Sequence, residues 1–139
     1  MAFQEVRNVS IRGISCCVPK KTERNIDLPF YRDAAEAQDV IAATGIVERH
    51  MATEDMTASD LCIKAAERLM ASLEWEKESI DMIAFCTQCP DYLNHPNSFI
   101  AHEALGLSDH TMCIDFYHGC PGWIVSLSAI GAMMQNGKI

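Results

Sequence analysis

The spacing of apolar and polar positions changes several times along this chain, and each change marks an element. Residues 6–18 carry the β-branched side chains Val6, Val9, Ile11, Ile14 and Val18 and end at Pro19, which predicts a first strand or hairpin arm. Residues 20–28 are polar and read as a loop. Residues 29–43 read as a helix with Asp33, Glu36 and Asp39 on its wet side. Thr44-Gly45 stops it, because glycine readily takes the left-handed cap conformation. Thr57 followed by Asp60 resembles a capping box with Asp in place of Glu. Leu61, Ala65, Leu69 and Leu73 then repeat every four residues while Lys64, Glu67 and Arg68 fall elsewhere, so one helical stripe is expected to be buried.

Further on, residues 80–87 form a short apolar run with one charge, Asp81, and predict a buried parallel strand. Residues 97–105 predict a short helix ended by Gly106, and residues 112–116 another strand. Residues 123–134 contain no charge at all. A helix apolar all round is buried on every side or spans a membrane, and this one is too short to span. Pro121 suits its first turn and Gly137 lies just past its end. The order β, α, β, α, β, α implies right-handed crossovers and a parallel sheet, hence an α/β fold. An all-apolar helix needs layers above and below, yet three strands make one sheet. The chain stops at Asn136-Gly137-Lys138-Ile139, where the next strand is expected. A fragment, or a partner that supplies the missing layer, is therefore anticipated.

Composition narrows the function. The 139 residues suit one domain, 1–139, and 49% are apolar, which excludes wholesale disorder. The net charge of −8 argues against a nucleic-acid partner, whose phosphates need clustered cations. No apolar run is long enough for a membrane span, and Met1-Ala2-Phe3-Gln4-Glu5 does not start a signal peptide, so a cytoplasmic location is expected. Seven cysteines, mostly inside apolar runs, read as small buried thiols in a reducing compartment, with at least one free to do chemistry.

Cys120 is the sharpest candidate. It lies in His118-Gly119-Cys120-Pro121-Gly122-Trp123, between a strand and the all-apolar helix. That position puts sulfur at a first helical turn, where unpaired N–H groups and the helix dipole favour a thiolate. Gly119 and Gly122 leave room for a substrate. On spacing alone, a structural cysteine at a helix cap remains the alternative. Cys86-Thr87-Gln88-Cys89 is a CxxC and, with His95 and His102, can be written as a redox or zinc module. Cys86 is expected to point into the sheet, and the histidine spacing is not that of a zinc site, so two unrelated small residues and no metal are favoured. On an extended segment, His118 would share a side with Cys120. The other four histidines read as surface or hydrogen-bonded structural residues, Glu74, Glu76, Glu78 and Asp81 as a solvated loop, and Met133-Met134 as core filling.

Three blocks resemble the β-ketoacyl-acyl-carrier-protein synthase III family, condensing enzymes of the thiolase fold. They are Thr44-Gly45-Ile46-Val47-Glu48-Arg49-His50, the segment Cys89-Pro90-Asp91-Tyr92-Leu93 through Pro96, and the turn around Cys120. The resemblance runs from about Val6 to the last residue. It implies the N-terminal half of a thiolase-like α/β/α/β/α fold, truncated before its last strands, with the apolar helix lying between two sheets. It implies that Cys120 accepts an acyl group from a thioester, its own backbone N–H being one oxyanion donor. Decarboxylative condensation with malonyl-acyl carrier protein would follow, in fatty-acid or related biosynthesis, with no cofactor. Acyl carrier protein and a second copy of the chain are the implied partners, and a docking patch for an acidic carrier is not expected on so acidic a half.

The departures matter as much. The family's His and Asn that promote decarboxylation have no counterpart here, so condensation by this chain alone is not expected. Its Trp and Arg that grip CoA correspond to Asp39 and Ala43, which favours a carrier-protein donor. Cys89 replaces Thr in the substrate loop, and Asn94-His95 stand where an aromatic is frequent, implying a more polar end to the acyl pocket. A non-enzymatic thioester-binding or assembly subunit, paired with a separate chain, is the main rival.

Overall fold

A computed structural model describes residues 4–136, the last of them by its backbone. Gly137, expected past the last helix, and the anticipated next strand lie outside the described residues. The chain divides into two compact units, one comprising Val18–Thr57 and the other the residues before and after it.

In the Val18–Thr57 unit, strand β1 (Lys21–Arg24) pairs antiparallel with β2 (Glu48–Met51), Lys21 opposite Met51 and Arg24 opposite Glu48. The sequence suggests a loop at β1, because its side chains are nearly all polar. Its ladder depends instead on Asn25, which is buried at the strand's end. Asn25 donates through Nδ2 to the Ile46 carbonyl at 2.7 Å and through its backbone N–H to the Val47 carbonyl at 2.8 Å. Its Oδ1 accepts from Arg49 Nε at 2.8 Å. Helix α1 (Ala34–Thr44) starts five residues later than the pattern suggests. Asp33 is its N-cap rather than a mid-helix residue, and its carboxylate accepts the Glu36 N–H at 2.9 Å. Gly45 closes the helix at φ 72°, as expected.

In the other unit, α2 (Ala58–Leu73), β3 (Met82–Thr87), α3 (Asn97–Leu105), β4 (Met112–Tyr117) and α4 (Gly122–Asn136) follow in order. β3 and β4 are parallel, running from Met82 beside Met112 to Thr87 beside Tyr117. The parallel pairing and the 97–105 helix are as the sequence indicates. The single three-stranded sheet is not: among the described residues the sheets are two pairs, one antiparallel and one parallel. Phe85, Ala101, Leu105 and Leu107 form the buried apolar centre.

Residues 6–18 form no strand. Their side chains favour extended backbone, but among the described residues no strand pairs with them. The stretch lies against helices instead. Gln4 Nε2 donates to the Ser128 carbonyl at 2.8 Å, and Gln135 Nε2 to the Arg7 carbonyl at 3.3 Å. A Cβ built on Gly131 would lie 2.9 Å from Val6, and one on Gly13 2.9 Å from Leu69.

α4 is covered on one face only. Trp123 is 58% exposed and Ile124 66%, and Val125 and Met134 are exposed too, so Met134 is not core filling. The four exposed apolar residues show a helix suited to full burial with part of its surface open to water.

Candidate active site

Cys120 sits where β4 ends and α4 begins. The strand stops at Tyr117, the chain bends, and the Gly122 N–H donates to the Gly119 carbonyl at 2.9 Å. This closes a four-residue turn with Cys120 and Pro121 at its corners. The Val125 N–H donates to the Pro121 carbonyl at 3.0 Å, so Pro121 is the last residue before the helix and Cys120 lies just ahead of it. Pro121 has no N–H to strand at that end. Cys120 is exposed and free. It stands at the carboxyl ends of two parallel strands, the edge at which open α/β sheets bind ligands.

Because the backbone turns after Tyr117, residues 118–120 are not extended, and strand alternation does not place His118 beside Cys120. Its Cβ lies instead toward Gly122.

The two glycines have a different reason than substrate access. A Cβ on Gly122 would lie 2.5 Å from Cys86 Sγ and 2.9 Å from His118 Cβ. A Cβ on Gly119 would lie 2.5 Å from Gln88 Oε1. The chain itself fills the space beside both. Cys86 and Gln88, on either side of Thr87 where β3 ends, grip the two ends of the turn. The sequence reading missed this role for both residues, although their i, i+2 spacing at a strand end was visible.

The segment between β3 and α3 carries the other candidates. Cys89, Asn94 and His95 are all exposed. The Cys89 N–H donates to Thr87 Oγ1 at 3.1 Å, and the His95 ring meets Tyr92 edge-on at 6.4 Å between centroids. The segment is anchored by carboxylates. Ser59 Oγ donates to Asp91, and the Asp91 N–H donates to Asn97 Oδ1 at 3.2 Å. Asp115 on β4 accepts the N–H groups of Asn97 and Ser98 at 2.7 and 2.9 Å. Nothing in the sequence singles out Asp115, because only the fold brings it to α3.

The cysteines correct the sequence reading. Cys16, Cys62, Cys86, Cys89 and Cys120 are exposed, while Cys17 and Cys113 are half-buried. Cys86 does not point into the sheet; its sulfur lies against Gly122 at the start of α4. Although the Cys62 residue as a whole is exposed, its thiol is partly screened from water, and this desolvation pushes its pKa up, with the neighbouring Asp91 and Cys17 adding to it. Burial, then Asp115, raises that of Cys113. Both stay protonated more readily than an ordinary thiol. A cavity of about 210 Å³ runs along Cys62, Ile83, Phe85, Cys86, Ala101 and Leu105. Among the described residues, no three His, Cys, Asp or Glu side chains gather to hold a metal ion, so the zinc arrangement of Cys86, Cys89, His95 and His102 does not form. His102 Nε2 is paired with the Ser108 carbonyl at 2.9 Å and His50 Nδ1 with that of Pro19 at 2.7 Å, the structural roles expected of them. Among the described residues, no helix is long and apolar enough to cross a membrane.

No family model matches the chain. It is similar to a curated β-ketoacyl-[acyl-carrier-protein] synthase III from Sulfurovum, 33% identical over 92% of this chain and 37% of that protein. A protein of the same name from Fusobacterium nucleatum is 28% identical over 95% of this chain and 40% of its own length. Among solved structures, a 3-oxoacyl-(acyl-carrier protein) synthase from Burkholderia xenovorans superposes with TM-score 0.82 at 32% identity, over 89% of this chain and 36% of that one. Cerulenin-bound OleA from Xanthomonas campestris superposes with TM-score 0.84 at 26% identity, over 96% and 41%. The α/β fold is thus that of thiolase-like condensing enzymes, and the chain spans about two fifths of the length of the relatives it matches.

Proposed function

The chain is a relative of the β-ketoacyl-[acyl-carrier-protein] synthase III proteins, and from that premise we propose that it provides the acyl-accepting site of a condensing reaction, with Cys120 as nucleophile. The observation that carries this reading is the placement of Cys120: an exposed thiol in a closed turn, at the carboxyl ends of β3 and β4 and directly ahead of α4.

The sulfur of Cys120 attacks the carbonyl carbon of an acyl thioester, its thiol proton passing to solvent. The Cys120 N–H receives the developing oxyanion, whose charge exists only during the transfer. The tetrahedral species collapses, the bond to the carrier sulfur breaks, and the carrier leaves as a thiol once it takes up a proton. Cys120 then holds the acyl group as a new thioester.

Cys89, Asn94 and His95 line the approach for the acyl chain, Asn94 and His95 giving it a polar end. Acyl carrier protein is the donor, since Asp39 and Ala43 offer no adenine-stacking surface. Condensation with malonyl-acyl carrier protein needs a decarboxylating His and Asn for which these 139 residues have no counterpart. Alone, the chain acylates itself and does not condense. Incubation with acyl thioesters, then chymotryptic mapping, tests this. The acyl group is expected on the 118–123 peptide and absent in Cys120→Ala. Adducts spread over Cys16, Cys62, Cys86 and Cys89 but missing from Cys120 would overturn it.

A further inference from the structure

Cys86 brings a second thiol into contact with the turn that holds Cys120. Its sulfur occupies the space a side chain at Gly122 would need, 2.5 Å from that Cβ position. Gln88, two residues on, occupies the matching space at Gly119. Cys120 is therefore bracketed by Cys86 at one end of its turn and Gln88 at the other. Cys86 and Cys120 are both exposed and free, so a small oxidant reaches either. Cys89 is also exposed, but the side-chain atoms nearest the Cβ positions of Gly119 and Gly122 belong to Gln88, Cys86 and His118.

We propose that Cys86 is the resolving thiol for Cys120, the two closing a reversible disulfide under peroxide that blocks the acyl acceptor. In the first step the Cys120 thiol reduces hydrogen peroxide, giving a sulfenic acid and one water. In the second, the sulfur of the Cys86 thiol attacks the sulfenic sulfur. The S–S bond forms, and the oxygen leaves as a second water with the Cys86 proton. A thiol donor later returns both cysteines by exchange. The bond needs Cβ atoms about 3.5–4.5 Å apart. Cys86 Sγ already lies against Gly122, two residues from Cys120, so closing the bond asks the turn to move toward a sulfur it touches. A resolving thiol shields the nucleophile from irreversible oxidation to sulfinic acid. Its value for acyl transfer rests on the function proposed above, whereas the cross-link does not.

The test uses the reduced chain with hydrogen peroxide and no thioester, so failure of acylation and failure of the cross-link are read separately. Chymotryptic cleavage after Phe85, Tyr92, Tyr117 and Trp123 releases residues 86–92 and 118–123. The expected result is these two peptides linked, iodoacetamide labelling of Cys120 lost, and both effects reversed by dithiothreitol. Cys89→Ser is expected to keep the link. Cys86→Ser is expected to lose it and to accumulate Cys120 sulfinic acid. A link that persists in Cys86→Ser, a Cys86–Cys89 bond, or sulfinic Cys120 beside free Cys86 in the parent chain would each overturn the proposal.

Discussion

Asp115, in the middle of β4, accepts the backbone N–H of Asn97 at 2.7 Å, a contact between strand and helix eighteen residues apart. It also takes the Ser98 N–H, and so caps α3 where Pro96, the N-cap residue, has no side chain able to do so. Asn97 in turn accepts the Asp91 N–H, so one carboxylate bears on both the helix start and the 88–96 segment before it.

Asp115→Asn should therefore destabilise the chain by about 1–3 kcal/mol, the usual cost of losing charge-assisted bonds to buried donors. It should also speed proteolysis within residues 88–96. Urea midpoints and limited digestion read the two effects. Lost stability with an unchanged digestion rate would separate Asp115 from the segment.

The two glycines of the turn should differ. Gly122→Ala forces a methyl onto Cys86 Sγ and His118 Cβ, both close to the backbone, and should cost about 1–3 kcal/mol by overpacking. Gly119→Ala meets only the end of the Gln88 side chain, which can swing away, and should stay within about 0.5 kcal/mol of the parent. Combining Gly122→Ala with Cys86→Ala should recover part of the loss, as expected for neighbours. Equal costs for the two single variants would refute this packing account.

Cys62 and Cys113 carry raised thiol pKa values, from burial first and from Asp91 and Asp115 respectively thereafter. Folding thus favours their protonated form, and the unfolded chain loses those protons first. The linked stability is full below the ordinary thiol pKa of about 8.5 and declines as pH rises above it, until the folded-state thiols ionise too. Urea midpoints measured in reductant across that range should fall with pH, and less steeply in a Cys62→Ala, Cys113→Ala double variant. A parent midpoint that does not change through this range would contradict the assignment.

Ile124 and Trp123 extend apolar surface from α4 into water, and exposed patches of this kind drive association. Ile124→Gln should weaken self-association, measured by sedimentation velocity over a concentration series, while leaving the urea midpoint nearly unchanged. A chain that sediments as a monomer at every concentration would show that this face holds no partner copy.

The legibility of the sequence varied with the kind of interaction. α2 was readable because Leu61, Ala65, Leu69 and Leu73 encode a stripe locally, and α3 because Gly106 takes the left-handed conformation that ends it, at φ 62°. β1 was not readable, since its ladder depends on Asn25 and on a partner more than twenty residues away. Residues 6–18 failed in the opposite sense: β-branched side chains favour extension, but a strand also needs a neighbour.

What the sequence determined by itself was the set of locally encoded elements and the turn that presents Cys120. Periodicity, glycine stops and the proline ahead of α4 act within a few residues of one another. The tertiary structure alone decided that Cys86 and Gln88 hold that turn and that Asp115 caps α3. Those depend on through-space distances between residues far apart in the chain, and no local spacing encodes them.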